Sequence, residues 1–160
     1  MRRTFSAWRE SPALRFVSNT DQRFRHKVVI VSIGGSWCPG CHDEMPFLVD
    51  LRRKYHDQGL EVVFLSFEEA RELKNLERLR AFVTRYQVDF PVLVAGGTRL
   101  VRLKLPQIVN LEAFPTTLYV GRDGIVRGMR TGFAGAAAGP FHKSLTEQMT
   151  VTIERLLTEP

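Results

Sequence analysis

A chain of 160 residues, 44% apolar and 25% charged with two cysteines, is the size of one domain with its own core. It is not a disulfide-stapled mini-protein, and one chain cannot build a four-cysteine zinc site. The formal charge of +6 sits in short runs such as Arg2-Arg3 and Arg52-Arg53-Lys54, without the interleaved aromatics of a nucleic-acid stripe. No stretch approaches the roughly 20 apolar residues of a membrane span. No apolar segment follows the basic start Met1-Arg2-Arg3, so the chain reads as lacking a signal peptide or as the water-facing part of a longer precursor.

Residues 1–12 are weakly patterned and are expected to form an arm or a short helix, with the folded domain over 13–160. Leu14–Val17 reads as a brief edge strand and Ser18–Asp21 as a turn. Val28–Ile33 is β-branched and almost continuously apolar, a buried strand, and Gly34-Gly35 breaks it. A helix is predicted from Pro39 to Gln58, kinked at Pro46 and stopped by Gly59. Glu61–Phe67 is a second buried strand; Glu68 and Glu69 end it and could approach the site, but Glu68–Glu72 is expected to be a solvated connection. Asn75 is placed to cap a helix whose Leu76, Leu79, Phe82, Val83 and Tyr86 share one face. Phe90–Val94 is a third strand, Gly96-Gly97 a turn, and 98–109 a helix broken at Pro106. Thr116–Val120 and Ile125–Arg130 pair through Arg122-Asp123-Gly124. The loop Gly132–Gly139 leads to a closing helix, Pro140–Leu157, that buries Leu145, Met149, Ile153 and Leu156. This order predicts an α/β fold with a mixed central sheet flanked by helices.

The chemistry concentrates in Ser36-Trp37-Cys38-Pro39-Gly40-Cys41, where the first buried strand hands over to a helix. A helix start offers free N–H groups and the positive end of its dipole, which stabilises a thiolate and lowers its pKa. Two intervening residues bring the second thiol across one turn. Cys38 is therefore assigned as the attacker of a disulfide and Cys41 as the thiol that resolves the mixed disulfide. Cys38 should be the more exposed of the two, with Cys41 inside the first turn. Trp37 should stand on the rim, shielding the thiol and offering a partner an apolar surface. His42 is expected to face solvent. His26, His56 and His142 are scattered and suggest no role.

These residues resemble the thioredoxin superfamily: a Cys-x-x-Cys beside a βαβ pattern, Trp37 directly before Cys38, Pro46 five residues after Cys41, and Phe114-Pro115-Thr116 ahead of the late hairpin. Within it, the chain is most similar to the TlpA/ResA-type branch of bacterial extracytoplasmic thiol–disulfide reductases, through Trp37–Pro46 with Glu44 three residues after Cys41, and through the extra helical segment before Phe114-Pro115-Thr116-Thr117. The resemblance covers about residues 13–157. It implies a thioredoxin-like fold, a cis peptide at Pro115, and a Glu44 that tunes the thiol pair or moves a proton. A carboxylate near a helix start is also favourable on dipole grounds alone. With Phe114 held beside Cys38, an extended substrate would pair with that backbone, and Trp37, Pro39, Phe114, Pro115 and Thr116 would line its groove. Proline at 115 is implied to keep the thiols from capturing metal.

Two departures matter. The buried acid that thioredoxins carry six residues before the attacking cysteine is replaced by Ser32, and the aromatic of the approach strand by Gly34-Gly35, which should leave the floor of the site open. The resulting expectation is a monomeric thiol–disulfide oxidoreductase that reduces protein disulfides. It would be re-reduced by an upstream thiol donor and would need no metal or organic cofactor. By resemblance it would work in the periplasm or facing the cell envelope, although the chain itself is compatible with the cytoplasm. The alternatives are a peroxide-reducing redoxin, which would want Thr-x-x-Cys where this chain has Gly34-Gly35-Ser36-Trp37, and a non-catalytic adaptor or copper chaperone.

Overall fold

Val28–Gly34 forms an interior strand of the sheet, buried on both faces, and leads directly into the cysteine turn. The computed structural model describes residues 8–10, 16–17, 21–109, 111 and 113–160. Their strands are β1 (Trp8–Glu10), β2 (Phe16–Val17), β3 (Val28–Gly34), β4 (Leu60–Glu68), β5 (Val92–Gly97), β6 (Thr116–Val120) and β7 (Val126–Thr131). They join in one mixed sheet of order β2-β1-β5-β4-β3-β6-β7. β3, β4 and β5 run parallel, with β6 antiparallel to β3 and β7 antiparallel to β6. The helices are α1 (Pro39–Tyr55), α2 (Glu77–Arg85), α3 (Val101–Lys104) and α4 (Pro140–Thr158).

Strand alternation divides the core in two. Ile30, Val62 and Phe64 face α1, α2 and α4, meeting Met45, Leu48, Phe82, Met149 and Ile153. Val29, Ile33, Val63, Leu65 and Phe67 face the other way, against Val101, Leu105 and Leu111. In α4 the residues expected to be buried, Leu145, Met149, Ile153 and Leu156, are those that are. Gly59, at φ 97°, ends the turn after α1 in the left-handed region, as expected.

Several elements differ from expectation. Trp8–Glu10 is a strand paired antiparallel to β5 rather than an arm or helix, and Phe16–Val17 pairs with it. The other residues of 1–12 and Leu14-Arg15 lie outside the described residues. Gly96-Gly97 does not turn the chain: a bulge opposite Ser66/Phe67 carries β5 on to pair Phe67 with Gly96 and Glu68 with Gly97. The helix foreseen over 98–109 shrinks to a 3-10 turn at Thr98–Leu100 and α3. Leu105, directly before Pro106, leaves helical geometry at φ −124°, ψ 53°, because the proline ring crowds a helical residue before it. Asn75 is not the cap residue of α2. Leu76 takes that place at φ 58°, and Asn75 assists from one position earlier by accepting the Glu77 N–H at 3.3 Å. Among the described residues no helix is long and apolar enough to cross a membrane.

Candidate active site

Cys38 is the cap residue of α1, in extended geometry (φ −89°, ψ 116°), with Pro39 following in the first turn where a missing N–H costs nothing. Its N–H donates to Gly35 O at 3.1 Å, closing the turn out of β3. Its Sγ accepts the Cys41 N–H at 3.3 Å. The two thiols are shifted in opposite directions. The Cys41 side chain's hydrogen bond, aided by the Cys41 and Gly40 backbone N–H groups, holds the Cys38 thiol below its usual pKa against the opposing effect of burial. The same interaction, with burial, pushes Cys41 well up. Both cysteines are free thiols. Cys38 is only 3% exposed against 0% for Cys41, so the expected exposed mouth is in fact a covered one, with Trp37 and Phe114 packed against the same cluster.

The floor is not open. A Cβ on Gly34 would lie 2.3 Å from Cys41 Sγ, and one on Gly35 would lie 2.3 Å from Trp37 Nε1 and 2.5 Å from Phe67 O. The missing side chains are what let Cys41 tuck under β3 and let the Trp37 indole donate to Phe67 O at 2.8 Å. Trp37 is half-buried and meets Phe114 edge-on, with ring centroids 5.6 Å apart.

Glu44 lies on the buried stripe of α1 that also carries Cys41, Met45 and Leu48. It is 1% exposed, so it is not a surface carboxylate answering the helix dipole. Ser32 and Thr117 stand directly opposite each other across the β3–β6 pair. Their hydroxyls converge on it, Ser32 Oγ donating at 2.7 Å and Thr117 Oγ1 at 2.5 Å. Burial raises the Glu44 pKa to about 6, and the bonds from Thr117 and Ser32 restrain the rise. Ser32, the position without the expected acid, thus holds an acid supplied by α1.

The Phe114–Pro115 peptide is cis. A Cβ on Gly40 would lie 3.0 Å from Pro115 Cδ and 3.4 Å from Phe114 O, so this loop forms the wall beside the thiol pair. Pro39 is exposed, Phe114 half-buried and Pro115 buried. Thr116 does not offer its side chain to a groove. It is 0% exposed, and its hydroxyl donates to Ala113 O at 2.8 Å.

Two residues differ from expectation. Glu68, expected in a solvated loop, is the last residue of β4 and is 0% exposed. Its carboxylate accepts from Ser36 N–H at 2.8 Å, Ser36 Oγ at 2.7 Å and Ser66 Oγ at 2.5 Å. Strand parity was the available signal, since Val62, Phe64, Ser66 and Glu68 share one face if the strand runs one residue further. His42, expected to face solvent, is half-buried. Its Nε2–H donates to Ser36 O at 2.9 Å, its Nδ1 is 2.8 Å from Tyr86 Oη, and its ring packs on Phe82. His142 Nδ1–H donates to Ala134 O at 2.7 Å and pins the loop after β7.

Residues 12–129 match the profile of the AhpC/TSA family. A thiol-disulfide oxidoreductase ResA from Bacillus cereus is 31% identical over 101 residues, 62% of this chain and 52% of that protein, so the chain spans about half the length of the curated relatives it matches. A thiol:disulfide interchange protein of the thioredoxin family from Chlorobium tepidum superposes with a TM-score of 0.72 at 18% identity, covering 95% of this chain and 92% of that one. A thiol-disulfide isomerase from Corynebacterium glutamicum does so with a TM-score of 0.69 at 20% identity, covering 98% and 95%. At these identities the two structures establish the thioredoxin-like fold.

Proposed function

The chain belongs to the AhpC/TSA family, and from that premise we propose that it is a thiol–disulfide oxidoreductase that reduces protein disulfides through Cys38 and Cys41. The observation that carries the reading is the asymmetric thiol pair: Cys38 at the helix cap with its sulfur accepting the Cys41 N–H, and Cys41 one turn in with its thiol pushed up. Cys38, as thiolate, attacks one sulfur of a substrate disulfide and expels the other as a thiolate, leaving a mixed disulfide. Cys41 then gives up its proton and attacks Cys38 Sγ. The second substrate sulfur leaves, two electrons have passed to the substrate, and the Cys38–Cys41 disulfide remains. An upstream dithiol donor returns the two electrons.

Glu44 is the acceptor for the Cys41 proton. With a pKa of about 6 it is ionised at neutral pH, and it lies one helical turn from Cys41 on the same buried stripe. An extended substrate segment pairs with the Phe114 backbone beside the cis Pro115, with Trp37 and Pro39 as its apolar rim. By its resemblance to the extracytoplasmic branch, the protein works facing the cell envelope. The peroxide-reducing alternative is not favoured: no threonine precedes Cys38 at that spacing, and the hydroxyl closest before it in sequence, Ser36 Oγ, is committed to Glu68.

The test is insulin reduction by dithiothreitol with the wild type and Cys38→Ser. Turnover lost in the variant supports the reading, and an inert wild type refutes it. The direction is read from the potential of the Cys38–Cys41 couple, equilibrated in dithiothreitol or glutathione buffers. A value near or below roughly −270 mV supports a reductase, and one near roughly −120 mV reverses the direction while keeping the residue roles.

A further inference from the structure

Glu68 is a fully buried carboxylate that the reaction above does not use. Burying a charge is expensive unless its lone pairs are filled. Here three donors fill them, and two belong to one residue, Ser36. Ser36 is 1% exposed and its remaining polar group is also engaged, its carbonyl accepting from His42 Nε2 at 2.9 Å. The residue is gripped from β4 on one side and from α1 on the other.

The segment so held is Gly34-Gly35-Ser36-Trp37, which leads directly into Cys38. Left to itself, a Gly-Gly step is the most permissive kind of backbone and loses the most entropy on ordering. A charged acceptor makes stronger hydrogen bonds than a neutral one, which suits a clamp on such a segment. The adjoining bonds run the same way. Trp37 Nε1–H donates to Phe67 O at 2.8 Å, next to Glu68 on β4, and Cys38 N–H donates to Gly35 O at 3.1 Å.

We propose that Glu68 is a positioning residue for the thiol pair: by gripping the Ser36 N–H and hydroxyl from the end of β4, it fixes the turn that sets Cys38 Sγ against the first-turn N–H groups of α1. The inference rests on the reading of Cys38 as the attacking thiol. The ionisable groups around the turn and the thiols are Cys41, His42 and Glu44 on α1 and Glu68 on β4, with Arg78 on α2 close enough to Glu68 to feel its charge.

Positioning and simple electrostatics predict opposite signs. Deleting a negative charge near Cys38 eases thiolate formation, so a purely electrostatic Glu68 lowers the Cys38 titration midpoint when lost. A clamp, when lost, lets Sγ drift from the N–H groups that stabilise the thiolate and raises the midpoint. Glu68→Gln removes the charge but keeps the grip, because its Oε1 can accept from Ser36 N–H and Ser66 Oγ and its Nε2–H can donate to Ser36 Oγ.

The test is the pH dependence of Cys38 alkylation in the reduced 160-residue chain, followed peptide by peptide, beside kcat/KM for insulin reduction. Glu68→Ala is expected to raise the midpoint by roughly half a pH unit or more, to lower kcat/KM several-fold, and to be rescued by Glu68→Gln. Equal shifts in the two variants, or an unchanged midpoint in a folded Glu68→Ala, overturn the proposal. Should Glu68→Ala fail to fold, Ser36→Ala decides: a smaller rise supports the clamp and no rise overturns it. The midpoints are read without any substrate, so a wild type inert toward insulin would refute the function without touching this result.

Discussion

Replacing Glu44 by glutamine removes a buried charge while preserving the shape of the side chain, and its effect on stability can be worked out with its sign. Burial raises the Glu44 pKa from an ordinary 4.5 to about 6, so the folded protein binds this proton more tightly than the unfolded chain does. The stabilisation is fully present below pH 4.5 and is lost as pH rises through about 6. A rise of that size is worth roughly 2 kcal/mol. The glutamine variant has no such proton, so its stability relative to wild type should improve by about 2 kcal/mol between pH 4 and pH 7.5. Urea unfolding of both reduced proteins at the two pH values measures this, and subtracting one protein from the other cancels the titrations they share. Because the group is buried, raised salt should leave the effect in place. Stability curves that run parallel across this range would refute the argument, since Glu44 would then titrate alike in the folded and unfolded chains.

Gly34→Ala should displace Cys41, since the new Cβ would lie 2.3 Å from its Sγ. A loss of roughly 1–3 kcal/mol by chemical denaturation is expected, with a matching fall in disulfide reduction, and a fully active, equally stable variant would contradict the packing described. The reductase activity itself should carry an inflection near the Glu44 pKa of about 6, rising with pH, that Glu44→Gln lacks. An unchanged pH profile would remove Glu44 from proton transfer. Ile153→Ala empties a fully buried position on the inner face of α4 and should cost roughly 2–5 kcal/mol with little change in the Cys38 alkylation midpoint, because the site lies on other elements.

How much was legible in advance follows the range of the physical signal. Two thiols one helical turn apart, a β-branched strand before them and a proline at the helix start are all local facts. They are enough to place Cys38 at a helix cap and Cys41 inside it, because the geometry of a cap is set within four residues. The same holds for α4, whose buried stripe obeys the 3.6-residue period, and for β6 and β7, whose pairing is set by a short turn. What the tertiary structure alone decided are the partners brought in from other elements. Ser32 and Thr117 meet at Glu44 because β6 pairs with β3 in one particular register, and no spacing along the chain encodes that. Glu68 and His42 looked like solvated polar residues until β4 ran one residue further and α2 packed Phe82 and Tyr86 beside the helix start. The two glycines that suggested an open floor are filled by Cys41 and Trp37, whose side chains reach that space from further along the chain. A buried polar side chain is defined by who satisfies it, and for Glu44 one of the satisfying groups lies 73 residues away.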